Sequence, residues 1–192
     1  MISLRLTRMM NISMLKGENK MADISPYFRF NFNDKFMAQE IIKREGTPEA
    51  IKYFSEHCEK LTNYGYWFLL STLWVSYTGF SDIELWKKLF SSDRGQRQKC
   101  IMKPSEVKEF NYLPYFITVY RAKRPGEKQW IAYTLDLEIA KRFAKERKVN
   151  KITKYEVRKK DVLALFLRRG EKEIIILDET KPKLIEEIEV EI

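Results

Sequence analysis

The sequence is poor in the residues that build metal centres and disulfide frameworks. Among its 192 residues there are two cysteines, Cys58 and Cys100, and one histidine, His57. The cysteines lie far apart without ligand spacing, so the sequence predicts neither a zinc site nor a disulfide scaffold. Such sparing use of cysteine fits a reducing compartment, and we expect a cytoplasmic protein. The single histidine has no recognisable partner and is interpreted as structural.

Long apolar runs and nucleotide-binding loops are missing as well. The most apolar stretch, residues 66–77, is too short to span a bilayer and predicts a buried helix, so no membrane partner is expected. Residues 1–20 have no apolar core of signal-peptide length. We expect 1–21 to be a disordered lead-in, with Met21 as an alternative start. The absence of a Walker loop, a dinucleotide glycine fingerprint and a Ser-His-Asp arrangement disfavours nucleotide hydrolysis and serine chemistry.

Positive charge is abundant and unevenly distributed. The chain carries 36 lysine and arginine residues against 27 acidic ones, a net charge of +9. Residues 121–169 alone hold 16 basic and 6 acidic residues. A field of this sign attracts phosphate, whether of a dinucleotide or of a nucleic acid. A plain solvated basic surface is an equally good interpretation of the charge by itself.

The pattern of apolar residues predicts an α+β protein. Residues 22–110 form an N-terminal helical region, with Gly46 ending the first helix and Thr47-Pro48 starting the second. Residues 111–192 form a core with a small, mixed, largely antiparallel sheet, packed with the helical region as one compact unit. The predicted strands are 115–120, 129–134, 152–157, 162–167, 174–177 and 185–192, and a helix follows Asp136.

Three polar elements sit at strand ends in the second region. Arg121 closes the first strand, Tyr133-Thr134 lies on the second, and Glu171-Lys172-Glu173 opens a later one. This order resembles the Arg…Ser/Thr…Glu-x-Glu pattern of the mono-ADP-ribosyltransferases. The resemblance covers residues 111–192 and implies an ADP-ribosyltransferase-like core that uses NAD as co-substrate without a metal.

The resemblance also implies roles for residues that bind the dinucleotide. Arg121 would be the NAD-binding arginine, since a planar guanidinium matches a pyrophosphate better than an ammonium does. Tyr133 and Thr134 fall at the family's Ser-Thr-Ser element, whose first serine is here Ala132. Phe143, on the following helix, would pack against the nicotinamide.

The two glutamates receive separate roles from the same resemblance. Cleavage of the nicotinamide–ribose bond develops positive charge on the ribose, as in glycoside hydrolysis. Glu173 would be the catalytic carboxylate that stabilises this charge in the transition state. Glu171 would activate or select the acceptor, and we expect it on the same face of the strand because strand residues two apart point the same way.

Several functions remain open. The leading interpretation is an intracellular bacterial or phage toxin or effector that modifies RNA, DNA or protein arginine, with or without an antitoxin partner. The basic segments 147–160 and Arg168-Arg169 are then expected to face the macromolecule. The alternatives are a basic nucleic-acid-binding protein, an inhibitory protein on an inactive transferase-like fold, and an NAD glycohydrolase.

Overall fold

The computed structural model describes residues 23–77, 82–127 and 130–191. The predicted lead-in, residues 1–21, lies outside these ranges. The chain divides into two compact units, the first ending at Ser105 and the second beginning at Glu106. Across the described residues there are seven α-helices and one six-stranded antiparallel sheet, which confirms the α+β class.

The described part of the first unit is helical. Its α-helices are α1 (Phe32–Lys43), α2 (Glu49–His57), α3 (Asn63–Ser76), α4 (Ile83–Phe90) and α5 (Arg97–Cys100), and the first two residues of α6 (Pro104–Tyr112) also belong to it. The apolar stretch 66–77 does form a buried helix, α3, in which Trp67 is fully buried. Gly46 has a φ of 81°, which confirms its predicted place beyond the end of α1.

Two helix starts differ from the expected ones by one residue. Pro48 is the N-cap of α2 rather than its first helical residue. Asp82 caps α4, because its side chain accepts hydrogen bonds from the N–H groups of Glu84 and Leu85. The segment Ser81-Asp82-Ile83-Glu84 has the pattern of a capping box and predicts Ser81 as the cap, but Ser81 lies outside the described residues.

A buried carboxylate joins the starts of α1 and α3. Asp34 is fully buried and accepts hydrogen bonds from the Asn31 N–H at 3.0 Å and from the Thr62 N–H and hydroxyl at 2.9 and 2.7 Å. Asn31 and Thr62 are the N-caps of the two helices, so one side chain satisfies donors at both caps.

The second unit is built on the sheet. Its strands are β1 (Phe116–Arg121), β2 (Ala132–Thr134), β3 (Lys151–Arg158), β4 (Ala164–Phe166), β5 (Glu173–Ile175) and β6 (Lys183–Glu189), in the spatial order β4-β5-β2-β1-β3-β6. All pairs are antiparallel. The helix expected after Asp136 is α7 (Leu137–Arg147), and the Asp136 side chain caps it.

Strand register assigns the polar residues to two faces of the sheet. Tyr120 lies opposite Thr134, and Thr134 lies opposite Glu173, so these three share one face, called here the Tyr120 face. Arg121 follows Tyr120 and therefore belongs to the other face with Val119, called here the Val119 face. Helix α7 packs on the Tyr120 face near Ile152.

Candidate functional site

Two carboxylates and two arginines gather beside Thr134 on β2. Glu173 opens β5 directly opposite Thr134, and its side chain is 9% exposed. Nη2 of Arg169 lies 3.5 Å from Glu173 Oε1 and 2.7 Å from Glu171 Oε2. Arg142, on α7, approaches Glu171 Oε1 at 3.5 Å. We call these five residues the Glu173 cluster.

Glu171 reaches this cluster by a different route from the expected one. It lies in the turn before β5 rather than on the strand, so the expectation of strand alternation is wrong. Lys172, between the two glutamates, has a φ of 45°, and this left-handed conformation breaks the alternation of an extended strand. Because of that turn, both carboxylates contact one guanidinium.

The turn is fastened to the start of α7. The Leu135 N–H donates to the Lys172 carbonyl at 3.1 Å, and Lys172 Nζ lies 2.8 Å from Asp136 Oδ2. This bond from Lys172, together with the backbone N–H of Glu138, lowers the pKa of Asp136. The Glu-x-Glu segment is thus held by the residues that begin α7.

The hydroxyl of Thr134 acts on the backbone of the same turn. It donates to the Glu171 carbonyl at 2.7 Å and accepts from the Asp136 N–H at 3.1 Å. A hydroxyl on the strand beside a catalytic carboxylate can orient that carboxylate by a hydrogen bond. Here it instead fixes the main chain that carries the carboxylates, so Thr134 positions both of them indirectly.

Arg168 and Arg169 do not form the outward basic surface that the sequence suggested. Arg168 is buried against Glu106, with 3.1 Å from its Nε to Oε1 and 3.0 Å from its Nη2 to Oε2. The Leu167 N–H donates to the same carboxylate at 2.9 Å. Arg169 turns towards Glu171 and Glu173. The signal for this arrangement is Glu106 itself, an acidic residue at a buried position of α6 that requires a cation.

Arg121 forms a second group on the Val119 face. Its Nη1 donates to the Ala132 carbonyl and its Nη2 to Glu127 Oε1, each at 2.5 Å. Its Nε is buried and has no hydrogen-bond partner among the described residues. Burial lowers the pKa of Arg121, partly offset by Glu127. Two of the three guanidinium nitrogens therefore make hydrogen bonds, and the third makes none within the described residues.

Aromatic rings surround this arginine. The Trp130 ring centroid lies 5.4 Å from the Arg121 guanidinium carbon and 4.3 Å from Lys123 Nζ. Trp130 Nε1 donates to the Tyr133 hydroxyl at 2.7 Å, and Tyr133 meets Tyr155 edge-to-face at 5.5 Å. Burial raises the pKa of Tyr133, so its hydroxyl stays protonated. Sequence reasoning missed Trp130 and Glu127, although both lie in the short stretch between β1 and Tyr133.

The predicted site residues thus fall into two groups and one outlier. Thr134, Glu171 and Glu173 come together, whereas strand register puts Arg121 and Tyr133 on the opposite face. Phe143 is half-buried in an apolar cluster on α7 that includes Ala140 and Ala144. Its ring lies 5.1 Å from Arg142, which also reaches Glu171, so one arginine links Phe143 to the Glu173 cluster.

The described ranges contain neither a metal-ligand group nor a membrane-spanning helix. Within them, no group of three or more histidine, cysteine, aspartate or glutamate side chains could hold a metal ion. None of the helices in the described part of the chain is long and apolar enough to cross a membrane. Comparisons with protein-family models, with curated proteins and with solved structures found no match to this chain.

Proposed function

We propose that this chain is an NAD-dependent mono-ADP-ribosyltransferase whose reaction centre is the Glu173 cluster. The observation that carries the proposal is the direct register pairing of Thr134 with Glu173, beside a Glu171 that shares Arg169 with it. A catalytic carboxylate must be held rigidly and sheltered from water to act on a developing cation. Glu173 meets both conditions, since it is a strand residue with a mostly buried side chain.

The chemistry assigns one step to each carboxylate. The bond between the nicotinamide nitrogen and ribose C1′ breaks, and nicotinamide leaves as a neutral molecule with the bonding electrons. Glu173 stabilises the cationic ribose that remains. A nucleophilic oxygen or nitrogen of the acceptor then attacks C1′, and Glu171 accepts its proton. Arg169 holds the two carboxylates near each other, which would otherwise repel.

Arg121 would hold the phosphates of NAD in this proposal. Its buried Nε has no partner among the described residues and is a donor that an anion would satisfy. Its Nη2 donates to the Glu127 carboxylate, and a phosphate oxygen of NAD would take the place of that carboxylate. The nearby Trp130 ring offers a flat apolar surface at the same position. Because Arg121 belongs to the other sheet face, the dinucleotide would have to pass around the end of β1.

The position of Arg121 also favours a second candidate function. An arginine already paired with Glu127 and facing away from Glu173 suits an inactive transferase-like fold that binds nucleic acid or inhibits a partner. This protein would bind a polyanion through its basic surface and make no use of NAD. NAD glycohydrolysis, with water as the acceptor, is the third candidate and uses the same Glu173 cluster.

Under the main proposal the chain works in the cytoplasm as a toxin or effector. Its partners would be NAD and a macromolecular acceptor, which is RNA, DNA or a protein, and an antitoxin is left open. The basic excess of residues 121–169 supports an anionic acceptor more than a neutral one.

Labelled NAD in a cell extract tests the proposal. The transferase is expected to move label into a fraction that is destroyed by nuclease or by protease, and Glu173→Gln is expected to stop the transfer. Glu138→Gln, on an exposed face of α7, is the matched control and is expected to behave like the native chain. Native protein that neither transfers label nor releases nicotinamide would contradict the proposal and favour the inactive-fold candidate.

A further inference from the structure

An exposed aromatic patch lies at the beginning of β1, remote from Glu173. The side chains of Tyr112, Tyr115 and Phe116 are 75%, 62% and 52% exposed. The rings of Tyr115 and Phe116 meet edge-to-face with their centroids 4.8 Å apart. Three large aromatic residues with this degree of exposure lie within five consecutive positions. Such a concentration indicates an interaction surface rather than scattered surface residues. We call these three residues the aromatic patch.

Lys159 holds the backbone that carries the patch. Its Nζ donates to the carbonyls of Asn111 and Leu113 at 2.8 and 3.0 Å, and its N–H donates to the Tyr115 carbonyl at 2.8 Å. One residue after β3 therefore fixes the whole link between α6 and β1. Rings on a fixed backbone lose little conformational entropy when a ligand binds.

Basic side chains border the aromatic patch. Arg158 lies opposite Phe116 in the sheet and so points to the same face, although Asp161 binds its Nε at 2.8 Å. Lys160 is exposed next to it. Lys108 is exposed on α6, one helical turn before Tyr112 and on the same side of the helix. Glu109 is exposed three residues before Tyr112, and Glu156 lies opposite Thr118, so the border carries both signs. Its lysines suit an anionic ligand.

We propose that the aromatic patch binds single-stranded nucleic acid and is the docking surface for the acceptor strand. Exposed rings stack on bases, and flanking lysines neutralise phosphates, which is how sequence-tolerant single-strand binders work. A duplex hides the faces of its bases, so it cannot use the rings in this way. The exposed lysines Lys108 and Lys160, next to the rings, favour a polyanion over a protein segment.

The patch and the Glu173 cluster share one sheet face. Phe116 and Tyr120 both belong to the Tyr120 face, about 13 Å apart along β1 at about 3.3 Å per residue. Tyr120 in turn lies opposite Thr134, which lies opposite Glu173. Helix α7 packs on this face beside Tyr120, so a strand docked at Phe116 would pass along the edge of that helix to reach the two carboxylates. The role as an acceptor surface rests on the proposed function, whereas the binding itself does not.

Fluorescence anisotropy with the full chain tests the binding. The probes are a dye-labelled single-stranded RNA of mixed sequence, the same sequence in DNA, and the RNA duplex. Tyr115→Ala is expected to weaken single-strand binding roughly tenfold, and Tyr115→Phe is expected to retain it. Phe32→Ala, which removes an 81% exposed ring in the first unit, is the matched control and is expected to bind normally. Lys160→Gln is expected to lower the salt slope by about one.

The outcomes separate this proposal from the transferase. Equal weakening by Tyr115→Ala and Phe32→Ala, equal affinity for duplex and single strand, or no binding at all would overturn the docking surface. If label from NAD is still transferred to a macromolecule through Glu173 in that case, the acceptor docks elsewhere and the transferase stands. If the patch binds single strands while NAD is never cleaved, the docking surface stands and the transferase is lost.

Discussion

The two units bury polar groups in opposite ways. In the first unit, Asp34 sits in a closed network whose donors are the backbone and hydroxyl groups of two helix caps. In the second unit, charged groups lie at or beside strand ends, where two glutamates share Arg169 and the Arg121 Nε has no partner in the described part of the chain. The first arrangement completes a fold, whereas the second leaves bonding capacity unused. Unused capacity of this kind is typical of functional sites.

The two arrangements also differ in how much they contribute to the free energy of unfolding. Neutral donors around one carboxylate stabilise the first unit, since hydrogen bonds to a charged group contribute about 1.5–3 kcal/mol. Buried ion pairs such as those of the second unit bring little net stability, because desolvation offsets their attraction. We therefore expect substitutions at Asp34 and its neighbours to change stability, and substitutions in the Glu173 cluster to change activity.

Glu173→Gln should have the largest effect of the changes we consider. The amide keeps the shape of the side chain but removes the charge that faces the cationic ribose, so the rate of NAD cleavage should fall roughly 10²–10³-fold. Nicotinamide release under saturating NAD measures this rate. If the variant has the same urea midpoint as the native chain, and so is folded, but cleaves NAD at a near-native rate, Glu173 is not the catalytic carboxylate.

Glu171→Ala should separate transfer from hydrolysis. Transfer to the acceptor should fall about 10²-fold, the scale of one general base, while slow release of nicotinamide continues. Parallel assays of acceptor labelling and nicotinamide release, with Glu138→Ala as control, give the two rates. Loss of both activities together would mean that the two glutamates do not divide the work as proposed.

Gly65→Ala should show the structural character of the first unit. A Cβ at this position would lie 2.1 Å from Asp34 Oδ1, so the buried network must shift, with an expected loss of about 1–3 kcal/mol in the free energy of unfolding. Gly95→Ala is the matched control, since its Cβ would meet only Asn63 Nδ2, at 3.3 Å. Urea unfolding followed by tryptophan fluorescence measures both. An equal midpoint for the two variants would show that the Asp34 network is not the stabilising element.

Arg121→Lys tests whether the unpaired Nε serves a ligand. Lysine keeps the positive charge but loses the planar fork, so NAD affinity should fall roughly tenfold by titration calorimetry. Arg124→Lys, on the exposed turn before Gly126, should leave the affinity unchanged. Unchanged affinity in Arg121→Lys would make this arginine a structural partner of Glu127.

Asp136→Asn should have the smallest effect and one with a defined pH dependence. Lys172 lowers the pKa of Asp136 below 3.8 in the folded chain, so the charged group stabilises the fold above its unfolded pKa, and that contribution is lost as the pH falls through the lower, folded value. The variant should be less stable than the native chain at neutral pH. The urea midpoints of the two chains should converge in acid below pH 3.8. A constant difference at every pH would mean that the cap, rather than the charge, matters.

Local patterns in the sequence were sufficient for most elements and for part of the site. Alternating aromatic and β-branched residues predict β1, helical spacing predicts α7, and the Gly46 terminator is confirmed by its positive φ. The sequence pattern could not predict that Arg121 and Glu173 lie on opposite faces of the sheet. Alternation assigns faces within one strand, whereas the relation between strands depends on their register. The pairing of Arg169 with Glu171 and Glu173 was missed because a turn brings these residues together.

The short distance between the carboxylates of Glu171 and Glu173 depends on the left-handed backbone conformation of Lys172. In an extended strand, residues two apart face the same way, and a search for Glu-x-Glu relies on that repeat. Here the turn between β4 and β5, with a positive φ at Gly170 and at Lys172, brings the two carboxylates together instead, and the left-handed conformation costs lysine about 1 kcal/mol or more. A short peptide with this sequence, freed from Asp136, should relax to right-handed geometry and separate its two charges. A search for the Glu-x-Glu spacing alone would then also find chains that lack this turn, in which the two carboxylates are not neighbours.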